Sequence, residues 1–71
     1  MAMEMAIRQD IQRSVERAQN ASGYIALART DGGVSILRCD LTCELDCVEG
    51  TDRDGRWVSV PYDDIAEVRA A

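Results

Sequence analysis

The chain has 71 residues, with thirteen acids against eight arginines, no lysine and no histidine, for a net charge of −5. That length holds one domain, 1–71, whose core only just offsets chain entropy; the charge argues against direct contact with phosphate backbones, and the lack of histidine removes the commonest general base and metal ligand. Three cysteines form no dense disulfide scaffold and no apolar run is long enough to cross a bilayer, so the expectation is a soluble, unprocessed, cytoplasmic chain.

The first expected element is a helix over about 4–19. In AIRQDIQRSVERAQN the apolar residues Ile7, Ile11, Val15 and Ala18 recur at spacings of four, four and three, which is one stripe of a helix, with Arg8, Gln12, Arg13, Glu16 and Gln19 away from it. The small and left-handed-tolerant residues of NASG, 20–23, end it. A small, strongly bent antiparallel sheet of about five strands follows over about 24–69, giving an α+β fold. YIALART is its first strand, DGG at 31–33 a tight hairpin turn, and VSILR the returning strand.

Over 37–47 the odd positions are Leu37, Cys39, Leu41, Cys43, Leu45 and Cys47, and the even ones Arg38, Asp40, Thr42, Glu44 and Asp46. Period two means strand. Fully extended, 34–49 would span roughly 50 Å at about 3.3 Å per residue, against a domain diameter on the order of 30 Å. The run must therefore bend. A bulge is expected near Ile36, where Val34 and Ile36 fall out of phase with Leu37 and Cys39, and a second break at 40–43, where Asp and Thr favour turns. The three thiols then read as inward-facing small hydrophobes. As zinc ligands they fail, because positions four apart on one strand lie about 13 Å from each other, while a Zn–S bond is about 2.3 Å, and no histidine or CxxC completes a tetrad.

TDRDG, 51–55, starts like a calcium loop, but Arg56 and Asp63 stand at its fifth and twelfth places, so a hairpin turn is the better reading. RWVSVP is the next strand. YDDIAEVRAA either opens a helical turn with an Asp64-x-x-Glu67 capping box or turns at 62–64 and closes with a strand over 65–69, and the strand is preferred. The adjacent side chains of Asp63 and Asp64 diverge, so they read as solvated acids or turn formers rather than a catalytic pair. If Val58 and Val60 point inward, Trp57 and Ser59 point away. Trp57 then either covers an open end of the sheet or packs on the helix, the first reading, or anchors an interface, the second.

This order, with LARTDGG early and VSVPYDDIAEV late, resembles the Sm-like barrel of the Rho-inhibiting Rof (YaeO) proteins. In that family a helix precedes a strand ending in Asp-Gly, here Asp31-Gly32, then an acidic middle and a closing Asp-x-Ile segment, here Asp63-Asp64-Ile65. The layout is also similar to other small SH3-type barrels, including the WYL domain. The Rof resemblance implies an acidic protein that docks on the RNA-binding domain of a termination factor.

The residues point the same way. Four arginines face three acids in 1–30, but four face ten acids in the remainder. Asp40, Glu44 and Asp46 share the outward parity and Glu49, Asp52 and Asp54 follow, so an acidic ridge is expected beside Trp57. Such a ridge suits a groove kept for phosphates. The expected function is that of a non-enzymatic inhibitor, with no metal or cofactor, that occupies the basic surface of a nucleic-acid-binding protein and touches no nucleic acid itself; a phage-encoded inhibitor such as an anti-CRISPR fits the same description. The alternative is an Sm-like RNA binder using a basic helix face of Arg8, Arg13 and Arg17.

Overall fold

The computed structural model describes residues 2–71, with side chains from Arg8 onward. In chain order the elements are α1 (Ala2–Ala21), β1 (Tyr24–Arg29), β2 (Val34–Arg38), β3 (Thr42–Cys43), β4 (Cys47–Thr51), β5 (Trp57–Pro61), a 3-10 turn (Tyr62–Asp64) and β6 (Ile65–Ala70). Ile11, Val15 and Ala18 are buried as the stripe requires, and they set α1 mainly against β6 and β1. The side chain of Ile7, first in that stripe, lies outside the described residues. α1 ends without a left-handed residue: positive φ occurs among the described residues at Gly32 and Gly55 alone. The Ser22 N–H instead reaches back to the Ala18 carbonyl at 3.1 Å.

The class is α+β, but the expected five strands are six. Among the described residues they form two antiparallel three-stranded sheets, β2-β1-β6 and β3-β4-β5, and no closed barrel. The cause lies in the long alternating run. A turn at 39–41, where the Leu41 N–H meets the Arg38 carbonyl at 3.1 Å, cuts β3 from β2. β4 then takes β3 as its neighbour, and a single bridge, Leu37 to Asp52, joins the sheets. The 3-10 turn carries the chain back to β1, so the tail closes as a strand rather than a helix, as preferred.

The bulge expected near Ile36 is absent. β2 pairs with β1 in unbroken register from Tyr24–Arg38 to Ala28–Val34, and the irregularity falls between Ala28 and Arg29 on the β6 side. Leu37 faces the core while Val34 stays 58% exposed on the opposite face, so the apparent phase slip is an apolar residue on the outer surface. The core is built on Ile25, Leu27, Leu37 and Val48, all fully buried, with Val15 from α1 and Val60, Tyr62 and Ile65 from the C-terminal third. Each large aliphatic so buried contributes about 1.5–3 kcal/mol. Gly50 is required here: a Cβ would stand 2.7 Å from Leu41 Cβ and 3.1 Å from Leu41 Cα, where the 39–41 turn crosses β4. No described helix is long and apolar enough to cross a membrane.

Candidate functional site

β3 and β4 form a hairpin whose pairs Thr42–Glu49 and Cys43–Val48 run on to the Glu44 N–H and the Cys47 carbonyl, 2.7 Å apart. That leaves Leu45 and Asp46 as a two-residue apex. Parity placed Leu45 inward; it is 82% exposed, because the chain reverses there. Other elements hold the apex. The Tyr62 hydroxyl donates to the Glu44 carbonyl at 2.6 Å, the Tyr62 N–H to the Asp46 carbonyl at 3.2 Å, and Arg8 Nη1 to the Leu45 carbonyl at 2.9 Å. Tyr62 is buried, and Gln12 Nε2 donates to its oxygen at 3.4 Å. Burial pushes the Tyr62 hydroxyl above its ordinary pKa, opposed by the Gln12 bond.

These bonds bring Glu44 and Asp46 to one end of the molecule, next in space to the 3-10 turn that carries Asp63 and Asp64. All four acids are exposed and none takes part in an ion pair among the described residues. From the sequence the last two read as solvated acids or turn formers, outside the expected ridge. What joins them to the apex is the Tyr62 N–H bond, a contact of long sequence separation that no local pattern signals.

The remaining predicted residues do not continue this group into a ridge. Glu49 sits midway along β4, half-buried, with its carboxylate accepting a bond from Cys47 Sγ at 3.4 Å. Asp52 and Asp54 lie at the far end of the β4–β5 hairpin, roughly 20 Å from Asp46 at about 3.3 Å per residue. The Asp52 carboxylate is engaged there: it accepts the N–H groups of Asp54 and Arg56, each at 2.9 Å. Gly55, at φ 82°, completes the turn, so 51–55 is a hairpin turn as expected. Asp40 stands in the 39–41 turn, whose carbonyls at Cys39 and Leu41 accept from Gln19 Nε2 at 2.8 and 3.2 Å. The six acids thus form no single ridge: Glu44 and Asp46 sit at the apex, Asp52 and Asp54 at the far turn among Arg53 and Arg56, and Asp40 and Glu49 belong to neither pair.

Trp57 is 65% exposed, which overturns the packed placement and leaves it as surface at the start of β5. Across the sheet junction, Arg53 lies over the Tyr24 ring with 5.2 Å to the centroid.

The thiols separate too. Cys39 and Cys43 are half-buried against the core cluster, whereas Cys47, the buried one of the three, lies on the opposite face of β4 from Val48, the face shared with Glu49 and Ser59. The strand reversal at the apex decides this, since Cys47 pairs with Pro61 while Val48 takes the inward place. All three are free, and among the described residues no three His, Cys, Asp or Glu side chains are grouped to hold a metal ion. Burial raises the Cys43 thiol pKa, against a hydrogen bond to Tyr62. At Cys47 a bond to Ser59 favours the thiolate, but burial and the Glu49 carboxylate outweigh it and the pKa is raised.

Comparisons with protein-family models, with characterised proteins and with solved structures find no match.

Proposed function

We propose that the protein is a small acidic, non-enzymatic binding protein that inhibits a larger nucleic-acid-binding protein by occupying its basic surface. The observation that carries this reading is the apex group. Glu44, Asp46, Asp63 and Asp64 are exposed and outside every ion pair among the described residues, the first two on a bend whose carbonyls are tied to Tyr62 and Arg8 and the last two on the 3-10 turn that starts at Tyr62. Carboxylates held in place on a fixed backbone lose little side-chain and loop freedom on docking, which is how preorganisation favours binding. Arginines and lysines set to receive phosphates meet them without rearrangement.

The order of strands supports the same reading. β2 and β3 act as one bent strand against β4, joined by the Leu37–Asp52 bridge, and a 3-10 turn precedes the last strand. We read this as an open relative of the SH3-like and Sm-like barrels, in keeping with the Rof resemblance and with a regulator of transcription termination or a phage-encoded inhibitor. The test is a competition assay with an RNA-binding termination factor and its labelled RNA at several salt concentrations. Displacement of RNA that weakens with salt is expected. Direct, tight binding of RNA by this chain, lost on replacing Arg13 and Arg17, would replace the reading with that of an RNA binder.

A further inference from the structure

We infer that the open edge of β5 is a docking strand for an extended, lysine- or arginine-bearing segment of a partner protein. The ladder defines which backbone groups are free. The Asp52 N–H meets the Arg56 carbonyl at 2.9 Å and the Tyr62 N–H meets the Asp46 carbonyl at 3.2 Å. Both pairs share the register of Val48–Val60 and Gly50–Val58. In an antiparallel ladder hydrogen-bonded pairs alternate with non-bonded ones, so Trp57, Ser59 and Pro61 turn their main-chain groups away from β4. Among the described residues no other element pairs with them.

That edge borders a groove of about 210 Å³ whose other wall is the end of β1 and the turn after it, with Arg29, Thr30, Asp31 and Asp64. Arg29 is matched inside the groove by Asp31, at 3.3 Å from Nε to Oδ1. Asp64 is left over, and the 3-10 turn that carries it and Asp63 is tied to the apex by the Tyr62 N–H to the Asp46 carbonyl. The excess charge is negative, so it selects a basic occupant. An added strand would gain main-chain bonds from Ser59 and Trp57, contact with the exposed indole at one end, and carboxylates at the other. Pro61, which has no N–H, limits pairing at that end and guards against indiscriminate edge association.

The inference rests on the reading of the partner as a basic protein, and it is tested without that partner. The probe is a blocked eight-residue peptide of alternating lysine and valine, followed by Trp57 fluorescence and amide hydrogen exchange at low salt. At saturating peptide the Ser59 amide should exchange tenfold or more slowly, while the amides of Val58 and Val60, already bonded to β4, stay unchanged. A glutamate-for-lysine peptide, and a peptide N-methylated at every second residue in the frame that faces β5, should each bind at least tenfold more weakly. Ser59→Pro, which removes an N–H directed off the sheet, should lose the peptide and keep the fold; if that variant does not fold, the N-methylated peptide carries the same test. Binding without protection at Ser59, equal binding of the acidic peptide, or a dimer that already protects the Ser59 amide without peptide would each overturn the inference. Failure here leaves the acidic apex as the partner surface, whereas failure of RNA competition leaves the edge intact.

Discussion

The two ends of the β4–β5 hairpin use aspartate in opposite ways. At the 52–56 turn the Asp52 carboxylate accepts two N–H groups of its own turn, and Gly55 supplies the left-handed residue, so the turn is complete within five residues. At the far end of β4, Asp46 gives its turn a main-chain carbonyl, and residues 16 to 37 positions away in sequence make the ties. A turn built from its own side chains consumes them. A turn held by distant elements leaves its carboxylates unengaged, and under the proposed function those are the acids that meet the partner.

The largest expected effect comes from setting the two ends against each other. Reversing Glu44 and Asp46 to Arg should slow association with a basic partner by about 100-fold at low salt and flatten its salt dependence. The same reversal at Asp54, beside Arg53 and Arg56, should change the rate less than threefold; stopped-flow measurements at several ionic strengths decide between them, and equal losses would restore a continuous ridge. Next, Tyr62→Phe removes the donor to the Glu44 carbonyl and should cost about 1–2 kcal/mol by denaturant titration. Amide exchange should quicken around Glu44 and Cys47 and stay unchanged at 52–56. Asp52→Ala should cost about 1 kcal/mol, as loss of a local capping acceptor does, with faster exchange at Asp54 and Arg56 and no loss of partner affinity.

The smallest effect is on pH dependence. Cys43, Cys47 and Tyr62 all have pKa values raised on folding, so the folded state holds protons that the unfolded chain releases first. Stability from these groups is fully present below their unfolded values, about 8.5 for thiols and about 10 for tyrosine, and it declines as pH rises through the folded ones. Melting temperatures from pH 7 to 11 should fall in that window, and Cys43→Ala with Tyr62→Phe should flatten the fall.

Much of this molecule is written locally. The Ile11, Val15 and Ala18 stripe of α1, the β1–β2 turn with Gly32 at φ 91°, the 51–55 turn and the closing strand over Ile65–Ala70 follow from helical period, turn chemistry and alternation. The need for the long alternating run to break was also legible, because its extended length exceeds the 35 Å longest dimension of the fold. Where it breaks was not. Period two tells which residues share a face only while the strand continues, and it carries no information about a reversal inside the run. Once β3 and β4 pair, Leu45 moves from a core position to an exposed apex, and Val48 takes the inward place while Cys47, still buried, turns to the opposite face of β4. Tyr62 then ties Glu44 and Asp46 to the turn that holds Asp63 and Asp64. Composition and local period determined that this chain is an acidic helix-and-sheet domain; long-range pairing, which rewards contacts between residues far apart in sequence, decided which of its acids are free.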